Sequence, residues 1–367
     1  MEPEVEDRLR SALRARALRV PAPRAAPAPG PPGHGRDGAD PHFRQVPYLP
    51  DGARVVFRHD ARGRCVFLEP GRGNPCAVHR QLGFDRLAAA CRDFPRVVTL
   101  SPLGVSITLS HYCPTAVGLL FRDDVPLAIR TDPPAFPPAW PYEGLDAREG
   151  FPPLLRPEVL MDWDSHDRWE RWAVSILALE GPSAEEGVAV LSGAAEAARG
   201  WTPSDGAFGA FLEGCLAGRN REAVEPAWPT FEECLRAWRE TAAAVPVTGL
   251  VPSLPEGLAE ADTRWVRPSW PSLARPLRRY LAARAFASWC ALQGEGLRTT
   301  VHLVRSALLV LRVESARVCA AAPGPLEPER LQEAIRATDL LLVHLASPEE
   351  LARRCSAVER RAAPPSP

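Results

Sequence analysis

Four of the nine cysteines lie in one stretch of the sequence, between residues 64 and 114. They are Cys65, Cys76, Cys91 and Cys113, separated by ten, fourteen and twenty-one residues, and His79 follows the second of them by three positions. Thiolates are preferred ligands of Zn²⁺ and of iron–sulfur clusters, and four of them complete a tetrahedral zinc site or hold one 4Fe–4S cluster. The stretch therefore predicts a metal site, with small apolar core cysteines as the alternative.

Three polar side chains are predicted to lie close to that metal. His79 is one helical turn from Cys76, where an imidazole binds the metal or donates a hydrogen bond to a thiolate. Arg92 and Arg96 lie near Cys91, where guanidinium groups offset the negative charge of a thiolate cluster. The alternatives are an exposed helix histidine and ordinary surface arginines. The spacing of the cysteines matches neither the paired C-x-x-C of a zinc ribbon nor the C-x-x-x-C-x-x-C of radical S-adenosylmethionine enzymes.

Short elements must bring these cysteines together. A hairpin is predicted from two strands around the turn 101–104, and it would return Cys113 toward the other three cysteines. The segment Cys91–Arg96 should end the preceding helix, because Pro95 disfavours a helical residue before it. The predicted elements of this stretch are a strand over 53–58, a loop over 71–75, a helix over 77–90, and strands over 97–100 and 105–109.

The rest of the chain predicts a mainly α fold with a small α+β cysteine-cluster module near the N-terminus and a helical C-terminal part. Apolar spacing predicts a helix over residues 3–18, and a proline-dense segment predicts irregular chain over 131–157. A second proline-rich stretch, 246–276, precedes the C-terminal helices. Asp164 or Ser165 is the expected N-cap of the first long helix, and the segment Ser183-Ala-Glu-Glu186 is expected to open the second. The later helices are predicted over 182–198, 207–216, 231–244, 277–292, 299–321, 329–346 and from 348 onward.

This pattern predicts four parts in the chain. A disordered, proline-rich segment covers 1–42, the cysteine-cluster metal-binding module 43–130, a proline-rich connection 131–160, and a helical domain 161–357. The remaining cysteines are expected to fill space in or on the helices, and the acidic run Asp162–Asp167 is expected to be a helix start rather than a metal site.

Charge and hydropathy exclude several partners. The 44 basic residues nearly balance 45 acidic ones, so no electrostatic footprint for nucleic acid or a membrane surface is expected. No secretory signal and no apolar run of membrane-spanning length are visible, which predicts a cytoplasmic protein. In a reducing compartment, cysteines at defined spacing favour metal chemistry over disulfides.

Five elements in order resemble one known family. They read Cys65-Val-Phe-Leu68, Cys76-Ala-Val-His79, Leu82-Gly83, Cys91-Arg-Asp-Phe-Pro-Arg96 and Leu109-Ser-His-Tyr-Cys-Pro114. The stretch over 43–120 resembles the YkgJ-type zinc- or iron-chelating cysteine-cluster proteins, and within them the flagellin lysine N-methylase branch.

That resemblance implies an iron–sulfur cluster or zinc bound by the four cysteines. It also implies S-adenosylmethionine as methyl donor and a flagellin-like protein lysine as substrate. Members usually carry a further C-x-x-C-x-x-C-C element upstream, whereas no cysteine precedes Cys65 here. A site whose four positions are all filled by protein is structural by default, and the sequence assigns no catalytic residue. Two functions therefore stay open, a protein lysine methyltransferase and a non-catalytic metal-binding scaffold.

Overall fold

The computed structural model describes residues 3–20, 41–46, 54–59, 65–69, 76–133, 142–217, 228–246 and 248–362. Within these residues the chain is mainly helical, as predicted. It forms two compact units, Met1–Phe94 and Pro95–Pro367. The boundary between the units lies inside the stretch predicted as the cysteine-cluster module. The predicted four-part division and the α+β character of that module stay predictions, and the loop over 71–75 lies outside the described residues.

A small aromatic core organises the first unit. Strands β1 (Phe43–Val46) and β2 (Arg54–Phe57) pair antiparallel, which sets Phe43 opposite Phe57. The rings of Phe43, Phe57 and Phe67 have centroids 5.0–6.0 Å apart. Helix α1 (Pro3–Arg14) adds Val5 and Leu9 to the same core. This core supports the chain on either side of the first two cysteines.

The helix predicted over 77–90 is two helices, so that prediction was wrong in extent. Helix α2 (Ala77–Leu82) stops at Gly83, whose φ of 93° lies outside the helical region. A short 3₁₀ turn (Phe84–Arg86) follows, and helix α3 (Ala89–Asp93) then begins. Helix α3 ends just before Phe94, in agreement with the effect expected of Pro95. Glycine adopts this φ at no steric cost, which explains the position of the break.

The second unit begins with the predicted hairpin. Strands β3 (Arg96–Ser101) and β4 (Gly104–Leu109) pair antiparallel with Ser101 opposite Gly104. Gly104 has a φ of 124°, which a side chain would disfavour. The hairpin prediction is therefore confirmed. The remaining short elements are helix α4 (Pro114–Leu119) and strands β5 (Leu145–Asp146), β6 (Leu154–Arg156) and β7 (Val159–Leu160), of which β5 pairs parallel with β3 and β6 pairs with β7.

One long helix lies at the centre of the second unit. Helix α13 (Leu297–Ala321) buries most of its residues and packs against helices on several sides. Its Arg312 forms a buried ion pair with Asp262, with Nη2 2.6 Å from Oδ2. The other helices are α5 (Trp163–Ala178), α6 (Ala184–Arg199), α7 (Phe208–Ala217), α8 (Phe231–Ala242), α9 (Leu258–Ala261), α10 (Arg267–Ser269), α11 (Ala274–Ala285), α12 (Trp289–Gln293), α14 (Pro328–Asp339) and α15 (Pro348–Ala362).

The starts of two helices test the capping predictions. Ser183 caps α6 in a capping box with Glu186, within the segment Ser183–Glu186 that was expected to open this helix. The cap of α5 is Asp162, not Asp164 or Ser165, because its side chain accepts hydrogen bonds from both the backbone and the hydroxyl of Ser165 at 2.7 Å. Asp162 is the residue in extended conformation immediately before the helix, as an N-cap requires.

Much of the proline-rich region 246–276 is helical. Residues 258–273 run through α9, a π-helix (Asp262–Val266), α10 and a 3₁₀ turn (Trp270–Leu273). Pro268 and Pro271 lie in the first turns of their short segments, where a missing N–H costs little.

Two other predicted helices are interrupted. The helix over 277–292 divides into α11 and α12 around Ala287, a non-glycine residue with a φ of 53°. The helix over 329–346 changes from α14 to a second π-helix (Leu340–Leu345) directly after Asp339. In the described residues, no helix is both long and apolar enough to cross a membrane.

Candidate functional site

Backbone pairing in the first unit brings two of the predicted ligands together. Cys65 pairs with His59 in an antiparallel bridge, and Cys76 pairs with Leu68 in another. The Ala77 N–H donates to the Phe67 carbonyl at 2.8 Å, so the chain after Cys76 runs beside the chain after Cys65. Both cysteines are half-buried against the aromatic core. Ten intervening residues therefore separate them in sequence but not in space.

The two thiols interact electrostatically. Burial raises the pKa of Cys65, a hydrogen bond from the backbone of Phe67 lowers it, and the neighbouring Cys76 raises it again, for a net increase. Two thiolates side by side repel each other unless a cation lies with them. The pair thus has the donor chemistry of a zinc or iron site, in which the metal ion itself supplies the missing positive charge.

The other two predicted ligands occupy different surroundings. Cys91 is exposed on α3 in the first unit, and Cys113 is half-buried in the second unit, where it is the N-cap of α4. His79 is exposed on α2, with its ring 5.8 Å from that of Phe84. Among the residues that the structure describes, no group of three or more His, Cys, Asp or Glu side chains is arranged to hold a metal ion.

The two predicted arginines are partly buried. Arg92 lies on α3 beside Cys91. Arg96 is the first residue of β3, in the second unit, where its charge opposes the effect of burial on the pKa of Tyr142. The assignment of both residues to a thiolate cluster stays a prediction.

The motif Ser110–Cys113 is held by a buried carboxylate more than 200 residues away in sequence. Asp339, at the end of α14, is completely buried. Its Oδ2 accepts the backbone N–H of His111, and its Oδ1 accepts the hydroxyl of Tyr280 at 2.8 Å. The His111 ring lies edge-on to that of Tyr280 with centroids 5.6 Å apart. The carboxylate thus joins the loop after β4 to α11 and α14.

Two neighbouring side chains lower the pKa of this carboxylate. Burial alone would raise the pKa of Asp339, but Arg284 and His111 more than offset that effect, so the pKa lies below its ordinary value. Arg284 Nη1 lies 4.0 Å from Oδ1, and His111 Nδ1 lies 3.5 Å from Oδ2. An ionised, buried carboxylate forms stronger hydrogen bonds than a neutral one.

Further bonds hold the remainder of the motif. The Ser110 hydroxyl lies 2.7 Å from Nε2 of His344, which the second π-helix supplies. Arg336 Nε donates to the Tyr112 carbonyl at 3.1 Å, and the guanidinium lies 5.6 Å from the centre of the Tyr112 ring. π-Helical turns occur often at functional sites. The end of α14 and the π-helix that follows it are therefore a second candidate region beside the cysteine pair.

Sequence reasoning missed Asp339, Tyr280 and His344. Asp339 is the one acid in the stretch Ala337–Ala346, which is otherwise mostly apolar, and that isolation is a signal that could have found it. Tyr280 and His344 carry no comparable signal, because their role depends on contacts with residues far away in the chain.

The acidic run at the start of α5 also contains buried groups. Burial lowers the pKa of His166 to about 4, and Nε2 of His166 has no hydrogen-bond partner in the described part of the chain. Glu170, one turn later, accepts the Ala287 N–H at 3.0 Å, and burial raises the pKa of Glu170 to about 8. These groups pack within the helical core, in line with the interpretation of this run as a helix start.

The chain was compared with known protein-family models, curated proteins and solved structures, and none of them matches it.

Proposed function

We propose that this protein binds Zn²⁺ or an iron–sulfur cluster through cysteine thiolates, with Cys65 and Cys76 as the first two ligands. The observation that carries the proposal is the proximity of these two half-buried thiols, which two backbone bridges hold beside one aromatic core. Cys91 and Cys113 are the remaining ligands in the proposal, on the basis of the sequence motif.

The proposed role of the metal is structural. Four protein thiolates leave no coordination position for a substrate, and structural metal binding contributes directly to folding free energy. The first unit has a small core, so metal binding would add a large share of its folding free energy. Methyl transfer from S-adenosylmethionine to a flagellin-like lysine stays an expectation from the sequence resemblance.

Metal and sulfide analysis of anaerobically purified protein tests the proposal. We expect either one zinc without sulfide, or about four irons and four sulfides with a visible charge-transfer spectrum. Cys76→Ser should remove most of the bound metal, because a hydroxyl is a poor ligand for either centre.

Cys215→Ser is the matched control, since Cys215 is also half-buried but lies on α7 in the second unit. Its metal content should equal that of the wild-type protein. Wild-type protein without metal, or Cys76→Ser protein with the wild-type amount, would contradict the proposal.

A further inference from the structure

The loop that presents Cys113 is attached to the C-terminal helices by side-chain hydrogen bonds. Asp339 accepts the N–H of His111, and His344 bonds the hydroxyl of Ser110. The Ser110 hydroxyl also accepts the Tyr112 N–H at 3.3 Å, which closes a local turn. These bonds therefore fix the backbone of the three residues that precede Cys113.

The buried carboxylate is the centre of this attachment. The Asp339 side chain has no exposed surface, both of its oxygens accept hydrogen bonds, and the cation Arg284 lies beside it. A buried charge is retained only where its partners are all in place, and loss of one partner is costly. Asp339 also lies at the change from α14 to the π-helix that supplies His344, so both attachments come from one short stretch of the chain.

We propose that Asp339 is a positioning residue for Cys113: its carboxylate holds the Ser110–Cys113 loop in the geometry that presents the Cys113 thiol for metal binding. The metal-binding part of this inference rests on the proposed function. The positioning part concerns the thiol of Cys113 alone and is measurable without metal.

The second unit offers a matched control for a purely structural effect. Asp262 is also buried, also pairs with an arginine, Arg312, and is the first residue of the other π-helix. Asp262 bonds no residue of the Cys113 loop. Substitution of Asp339 and of Asp262 by asparagine therefore removes the same charge from two similar sites, of which only one holds the loop.

The experiment measures the alkylation rate of Cys113 by iodoacetamide, site by site with mass spectrometry, in full-length protein after chelation. In Asp339→Asn protein we expect Cys113 to react about tenfold faster than in the wild type, because loss of a charged hydrogen bond favours local opening. In Asp262→Asn protein the rate at Cys113 should stay at the wild-type value. Equal rates at Cys113 in the two variants would overturn the positioning role.

Metal content of the same proteins before chelation completes the test. Asp339→Asn protein should bind less metal than Asp262→Asn protein. If Cys113 reacts faster in Asp339→Asn protein while that protein keeps its full metal content, the link between the positioning and metal binding is overturned. A wild-type protein without metal would overturn the proposed function, and the alkylation rates would still decide whether Asp339 positions Cys113.

Discussion

The pKa values of buried carboxyl groups in this protein depend on the groups that surround them. Glu170 and Asp339 are both buried carboxylates, yet the pKa of Glu170 is raised to about 8 and that of Asp339 is lowered. Burial raises the pKa of both. Asp339 has Arg284 and His111 beside it, whereas the largest opposing effect on Glu170 is a neutral backbone N–H, that of Ala287. This difference in neighbours explains why the pKa is raised in Glu170 and lowered in Asp339.

Glu170 makes the stability of the protein depend on pH. In the folded chain the Glu170 carboxyl group stays protonated up to about pH 8, whereas the ordinary pKa of a glutamate in an unfolded chain is 4.5. Between these values the folded state binds more protons, so this group's contribution to stability falls as the pH rises, by at most about 1.4 kcal/mol per pH unit. Glu170→Gln keeps the shape of the protonated group and does not titrate. Its free energy of unfolding relative to the wild type should therefore increase between pH 5 and pH 8.

Urea denaturation at several pH values measures this difference. Glu149→Gln is the control for removal of a carboxyl group as such, since Glu149 is exposed. If the difference for Glu170→Gln does not change between pH 5 and pH 8, Glu170 is ionised in the folded protein.

At the level of elements, the breaks between helices depend on single backbone positions. Gly83 separates α2 from the 3₁₀ turn that follows, and Ala287 separates α11 from α12. The Ala287 backbone is held on both sides, because Glu170 accepts its N–H and the Thr99 hydroxyl donates to its carbonyl. A non-glycine residue at positive φ is retained only where its surroundings fix it in this way.

Gly83→Ala should destabilise the first unit by about 1–3 kcal/mol, because the conformation at Gly83 strongly disfavours a side chain. A Cβ at Gly83 would have no atom within 4 Å, so the cost is one of backbone conformation and not of a clash. Hydrogen exchange of the α2 amides is the measurement. We expect faster exchange, and with it weaker metal retention by Cys76 at the start of that helix.

Gly118→Ala is the matched control for this change. A Cβ at Gly118 is equally free of neighbours, but Gly118 lies within α4, where alanine is favoured over glycine by up to about 1 kcal/mol. Equal effects of the two substitutions on their own helices would contradict the assignment of the cost at Gly83 to φ.

At the scale of the whole molecule, the two compact units differ in how they are stabilised. The second unit has a large core around α13 with buried ion pairs such as Arg312–Asp262. The first unit has a small core of aromatic and aliphatic residues. Under the proposed function, the first unit therefore depends on metal more than the second does.

Removal of metal with a chelator should increase hydrogen exchange in the described parts of residues 54–93 and leave exchange in α13 unchanged. The reason is that metal binding adds folding free energy where the ligands are. Exchange that rises equally in α13, or does not rise in 54–93, would contradict a structural metal in the first unit. Re-addition of zinc, or of iron together with sulfide for an iron–sulfur cluster, should restore the original exchange.

The sequence by itself determined the features that depend on neighbours along the chain. These include the helical class, the β3–β4 hairpin, the capping box at Ser183 and the end of α3 before Pro95, because propensity, capping and turn geometry act over a few residues. Only the tertiary structure decided the rest. The attachment of His111 to Asp339, the raised pKa of Glu170 and the helical path of residues 258–273 all arise from contacts and burial between distant segments, which local patterns do not contain.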